Sequence, residues 1–383
     1  MLRRIFMAGA AGVLALAAGA ARAQSSEPII VGLTYDAAKQ ASYYSLLMRD
    51  GTLARINEIN AAGGVLGRQI KVLTEDDENN PAVAAQKVEK LAAAGAVFIF
   101  EVGSSSTGLA ASRVAEELKV PNGSSANVAE ALTNPHKHWY FRISLRDSIA
   151  TQGLIGFLKA KFKEPKLAVI RDATETGLVV SDNQIKFLEA AGFKYVAKEQ
   201  ISPGSVDVTA QALRIKAANP DVVLVTGGSL PDLANYVKAH ARLGIKAPMV
   251  GNNLFATTSF PALAGEAADG FMFVDVVDTG RPDVSEADKK LVALHGDRAK
   301  NSTLMLVSYD FAGLVVDAIK RAGAADRAKI RDALEATSNY PSLVGRKGAG
   351  VSFSATSHDG VNNSAQVVIR LVKGGQYAGS VDY

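Results

Sequence analysis

No cysteine occurs among the 383 residues. That absence rules out thiol catalysis, cysteine-ligated zinc and any disulfide. Stability must therefore come from an apolar core, which a chain of this length can bury. An excess of one charge is also missing. Met1 to Ala23 reads as a secretory leader, with Arg3 and Arg4 ahead of an apolar run, Phe6–Ala20, and an Ala21-Arg22-Ala23 cleavage site. Removing Arg3, Arg4 and Arg22 leaves 39 basic against 38 acidic side chains, so the pI near 9.0 partly reflects the leader. No basic stripe argues for nucleic acid. Beyond the leader no stretch approaches a membrane span.

Catalytic and cofactor signatures are missing as well. The first strand, Pro28–Leu33, runs into Thr34-Tyr35-Asp36-Ala37 rather than a glycine-rich dinucleotide turn. There is no P-loop, no H-E-x-x-H and no G-x-S-x-G nucleophile elbow. Five histidines are scattered; His136-x-His138, beside Trp139 in a polar stretch, reads as a surface feature because zinc needs three or four convergent ligands. The acids of Asp76-Asp77-Glu78-Asn79-Asn80-Pro81 lack the spacing of a calcium loop and read as a helix-start turn. The expectation is a protein without catalytic residues, metal or cofactor.

What is present is a βα alternation in two successive units. It is organised around residues 96–118. The apolar run Ala96–Phe100 predicts a buried strand. Gly103, Ser104, Ser105, Ser106 and Thr107 follow, and then a helix. Serines at a strand end that opens a helix place hydroxyls and unpaired N–H groups together, which suits either an anion or an ordinary helix cap. A second polar strand end, Ser124-Ser125-Ala126-Asn127, follows directly, and in open parallel sheets ligands bind at such ends. The alternation restarts after Tyr140-Phe141-Arg142, with strands expected at 167–170, 195–200, 222–226 and 248–250. Their polar ends, 171–176, 227–229 and 251–253, form a second rim. Residues 275–282 read as a linker. Helices are expected at 285–299, 303–322 and 326–336, and short strands at 350–353, 365–371 and 377–380.

In that order, the leader, Asn60-Ala61-Ala62-Gly63-Gly64-Val65-Leu66-Gly67, the Asp76-Asp77 turn, Ser104–Thr107, Ala131-Leu132-Thr133, Gly227-Gly228 and Ser308-Tyr309-Asp310 resemble the periplasmic leucine/isoleucine/valine-binding protein family. The resemblance spans essentially all of the chain beyond the leader. It implies an α/β fold of two Rossmann-like lobes joined by a three-strand hinge, the type I periplasmic binding protein fold. It implies one lobe from residues 27–144 and 279–351, and another from 147–274 and 355–383. It implies a monomer in the periplasm that hands a small carboxylate (a branched-chain or aromatic amino acid, a 2-oxo acid or an aromatic acid) to an ABC permease; a sensory subunit of the same fold is the alternative. The family's carboxylate-binding segments fall on Ser104, Ser105, Ser106 and on Ala126 to Val128, its aromatic wall on Tyr44, and its second-lobe contacts on Thr176, Ser229 and Asn253.

Departures from the family accompany these matches. Leucine binders carry tyrosine at Thr176 and Ser229, threonine at Val128 and an acid at Asn253, and often a disulfide where this chain has Asn79 and Gly103. Without that acid a ligand ammonium would go unmet, unless Glu101, Asp275 or Asp278 replaces it. The expectation is therefore a carboxylate without ammonium, such as a 2-oxo acid or an aromatic acid.

Overall fold

The computed structural model describes residues 27–37, 42–257 and 259–383; the leader read at 1–23 lies outside them. The first unit runs β1 (Ile29–Tyr35), α1 (Ser42–Ala61), β2 (Ile70–Asp76), α2 (Pro81–Ala93), β3 (Ile99–Glu101), α3 (Ser105–Glu117), β4 (Asn122–Ser124) and β5 (Tyr140–Arg142). The second runs α4 (Asp147–Lys161), β6 (Lys166–Asp172), α5 (Glu175–Ala190), β7 (Lys194–Ile201), α6 (Thr209–Ala218), β8 (Val222–Thr226), α7 (Leu230–Arg242), β9 (Met249–Gly251), α8 (Ser259–Ala264) and β10 (Met272–Asp275). The remainder is α9 (Pro282–His295), α10 (Thr303–Ala322), α11 (Arg327–Glu335), β11 (Tyr340–Pro341), β12 (Gly350–Val351), β13 (Val368–Lys373) and β14 (Gln376–Ser380).

The first sheet is parallel throughout, in the order β2-β1-β3-β4-β5. The second, β14-β13-β10-β9-β8-β6-β7, is parallel from β7 to β10 and ends in antiparallel β13 and β14. Strands buried on both faces read as continuous apolar runs, and Val222–Val225 is such a run. In each sheet the chain steps to one side of the first strand and then to the other. That reversal leaves a crevice at the carboxyl ends of the strands.

The chain passes between the sheets three times, after Arg142, after Asp275 and after Val351. α10 packs on α1 and α11, and is buried nearly all round. The crossings lie close together. Asp359, on the third, pairs beside Arg142 on the first, and Gly345 pairs beside Val277 on the second. Arg142, wholly buried, donates to Asp359 and Thr133 and, at 2.8 Å, to the carbonyl of Ala129.

Several expectations shift in detail. The strand expected over Ala96–Phe100 pairs only from Ile99, though Ala96 to Phe98 are buried. Residues 350–353 contribute only a two-residue ribbon with Tyr340–Pro341. The linker over 275–282 is shorter, since Asp275 closes β10 and Pro282 opens α9. α4 and β10 went unforeseen. Among the described residues no helix is long and apolar enough to cross a membrane.

Candidate functional site

A cavity of about 250 Å³ opens where the carboxyl ends of the two sheets face each other. Its size is below the roughly 300–1,000 Å³ of drug-sized sites and suits a small ligand. The first unit supplies Tyr44, Ser125, Ala126 and Val128, and the segment after it supplies Leu145 and Asp147. The second supplies Val180, Gly227, Gly228, Asn252, Asn253, Leu254, Ala256 and Thr257. Asp275 and Val276 come from the end of β10, and Thr303, Leu304 and Val307 from the first turns of α10. Most of this surface is apolar.

The polar groups of the wall are largely engaged within the chain. Ser124 Oγ accepts from the N–H groups of Ala126 and Asn127, both at 3.2 Å. Ser125 Oγ meets Ser308 Oγ at 2.6 Å. Behind Gly227-Gly228, buried Asp172 accepts from the N–H groups of Gly228 (2.7 Å) and Ser229 (3.0 Å). A Cβ on Gly227 would stand 1.8 Å from Asp172 Oδ2, so this turn requires glycine. The nest that could hold an external anion thus holds an internal carboxylate. Asp275 is buried and accepts from Arg370 Nη1 (2.7 Å) and Thr303 Oγ1 (2.6 Å). Asp147 opens α4. Burial pushes its carboxyl up to about 6, with Glu130 adding to the shift and Arg142 opposing it. Among the described residues no lysine, arginine or histidine lines the cavity.

Residues 28–376 match the family model described as periplasmic binding protein. The chain belongs to the periplasmic binding protein family. Among its relatives, the leucine-, isoleucine-, valine-, threonine- and alanine-binding protein of Pseudomonas aeruginosa is 27% identical over 343 residues, 88% of each chain. A Leu/Ile/Val-binding protein homolog of Brucella abortus is 27% identical over 327 residues, 83% of this chain and 85% of that one. Two solved structures share the two-lobed type I fold. LivJ of Streptococcus pneumoniae with isoleucine has TM-score 0.77 at 23% identity, covering 92% of this chain and 99% of that one. The leucine-binding LivK of Thermotoga maritima has TM-score 0.73 at 18% identity, with the same coverage.

In this periplasmic binding protein the structure brings Tyr44, Ala126, Val128 and Asn253 into one wall. Ser104, Ser105 and Ser106 adjoin it without lining it. Ser104 caps α3, its Oγ accepting from Thr107 N at 3.4 Å and meeting Ser106 Oγ at 2.9 Å. Ser105 Oγ accepts from Ala129 N at 3.3 Å, which ties the serine turn to the 125–128 loop. Thr176 falls in the first turn of α5, and its side chain lies outside the described residues. Ser229 stands at the start of α7, outside the lining, while Gly227 and Gly228 reach the cavity.

Sequence reasoning missed Leu145, Asp147 and Val180 and the α10 contribution. The first two follow from overlooking α4, whose signal was the periodic Ile149, Leu154, Phe157 and Leu158. The Asp76–Pro81 turn is a cap, as read. Asn80 Oδ1 accepts from Ala82 N at 2.9 Å, and Asp77 Oδ1 from Asn79 N at 2.9 Å. His136 is more than a surface residue. It is half-buried, with its ring centroid 4.5 Å from that of His358, though no group of three among the described residues could hold a metal ion.

Proposed function

We propose that this protein is the substrate-binding component of an ABC importer, which captures a small aliphatic amino acid in the periplasm and presents it to the permease. The observation that carries this reading is the aliphatic wall drawn from both halves: Val128, Leu145, Val180, Leu254, Val276, Leu304 and Val307. Each methylene buried there contributes about 0.8 kcal/mol, so a branched side chain gains most when lobes 27–144 plus 279–351 and 147–274 plus 355–383 close on it. The names of the relatives, which bind leucine, isoleucine and valine, support the same class. The ligand carboxylate is assigned to the loop at Ser125–Val128 and the serine turn at Ser104–Ser106, supported by the Ser105–Ala129 bond that holds them side by side. The role is binding without turnover, by a monomer.

Calorimetry with leucine, isoleucine, valine and phenylalanine, alongside benzoate and the corresponding 2-oxo acids, tests this. Saturable binding of the branched amino acids is expected. Binding of benzoate alone would overturn the aliphatic assignment.

A further inference from the structure

We infer that Asp147 receives the ammonium group of the ligand and thereby restricts the cleft to amine-bearing ligands. The inference rests on the binding function proposed above and names the group that sets its selectivity.

The starting point is the charge inventory of the wall. Among the described residues two carboxylates line the cavity, Asp147 and Asp275, and no basic side chain does. Asp275 is already answered: Arg370, itself wholly buried, and Thr303 both donate to its Oδ2. Of the other two acids that could have replaced the family's, neither lines the cavity. Asp278 accepts from Gly280 N (3.0 Å) and Ser380 N (3.3 Å) in the second crossing, and Glu101 is buried in the first sheet.

Asp147 differs from Asp275, which Arg370 pairs, in forming no ion pair among the described residues, and from Asp278 and Glu101 in lining the cavity. The neighbouring cations are committed elsewhere: Arg142 to Asp359 and Thr133, and Arg146 to Glu130 at 3.0 Å and Asp359 at 3.5 Å. Position then supplies what a ligand anchor needs. Asp147 is the first residue of α4, where the helix dipole favours the ionised carboxylate. It faces a recess shared with Val180, Asn252 and Asn253. The amide of Asn253, placed where the family has its acid, is therefore a neighbour of a carboxylate supplied from a different element.

A single unanswered negative charge in an aliphatic cleft discriminates between ligands of equal shape. An ammonium cancels it and makes a charge-assisted hydrogen bond. A 2-oxo acid brings a second negative charge into a wall with no cation among the described residues, leaving Asp147 unpaired, and a site built around a polar partner rejects the analogue that lacks it. On this inference the absence of an acid at position 253 relocates the ammonium contact rather than abolishing it.

The test is isothermal calorimetry on the mature protein and on Asp147→Asn, with leucine, 4-methyl-2-oxopentanoate and 3-methylbutylamine as probes. The parent is expected to bind leucine at least tenfold more tightly than the oxo acid, and Asp147→Asn to lose at least tenfold toward leucine while the gap to the oxo acid narrows. The amine is expected to bind weakly to the parent and not to the variant. Equal parent affinities for leucine and the oxo acid, or binding of the oxo acid alone, would overturn the inference without recourse to any variant. So would a variant with the parent's thermal transition that holds leucine within threefold of the parent. A parent that binds none of the aliphatic probes would remove the proposed function itself, a separate failure.

Discussion

Ser104 is both a helix cap and a candidate anchor, and the two roles carry different costs. Its Oγ accepts from Thr107 N at 3.4 Å, long for a capping bond, and its contact with Ser106 Oγ is shorter at 2.9 Å. A cap of this type contributes about 1 kcal/mol. A hydrogen bond to a ligand carboxylate contributes roughly 1.5–3 kcal/mol. Ser104→Ala is accordingly expected to weaken leucine binding by about tenfold, read by calorimetry. A lowered melting temperature with unchanged affinity would confine Ser104 to capping. Asp310 on α10 offers a purely energetic test. It is buried, accepts from Ser342 Oγ and from Leu343 N at 3.1 Å, and burial raises its carboxyl to about 6 from an ordinary 3.8. Between those values the folded chain holds a proton that the unfolded chain releases, so its contribution to stability is full below about pH 4 and is lost as pH rises through 6. The loss is of the order of 2–3 kcal/mol. His240 and His358, held by burial at about 4 and about 3, oppose this trend, because they lose stability as pH falls. The readout is therefore a difference. Asp310→Asn should gain on the parent between pH 4.5 and 7.5 in urea unfolding, and parallel pH profiles would contradict it.

At the scale of elements, legibility followed how completely an element announced its ends. α10 was readable to the residue, Thr303 to Ala322, because Ser302 caps it and Gly323 closes it in a left-handed conformation. α2 was anchored by Asn80 and Pro81 in the same way. α4 carries an apolar stripe but begins after Arg146 with no side-chain cap, in a stretch that looked like a connection between units. β3 misled in the opposite sense. The run Ala96–Phe100 is buried, yet burial does not guarantee pairing, and only Ile99 to Glu101 join the ladder. The same distinction governs the site. Residues at strand ends, such as Ala126 and Asn253, were visible because a parallel sheet delivers its loops to one edge, and Val128 was reached through the family resemblance. Asp147 and Thr303 reach the cavity from helix starts beyond crossings, where local pattern does not say which lobe a helix will face. Nor could the sequence reveal that Asp172 fills the N–H nest at Gly228 and Ser229, since those contacts join residues 56 and 57 positions apart.

For the whole molecule, the question is how the lobes move over a cleft whose walls belong to both. Three crossings and no disulfide permit rotation of one sheet against the other. The pivot is not slack. Arg142 and Asp359 bind the first crossing to the third, and removing one partner of such a buried pair typically costs 3–5 kcal/mol, so rotation is expected to preserve it. At the inner face, Thr303 Oγ1 donates to Asp275 Oδ2, which joins the start of α10 to the end of β10 beside the cavity. Motion is thereby directed to the rest of the wall, to which Tyr44 and Val128 come from the first unit and Asn253 and Val180 from the second. A ligand that contacts both rims favours the closed arrangement by its differential affinity and by nothing else. Leucine at about 100 times its dissociation constant should stabilise the protein by about 2.7 kcal/mol and reduce its radius of gyration, followed by differential scanning fluorimetry and small-angle X-ray scattering on the same sample. The two readouts separate binding from closure. A raised melting temperature with an unchanged radius of gyration would mean that the ligand occupies a cleft already closed, and hinge rotation would have to be abandoned as the response to binding.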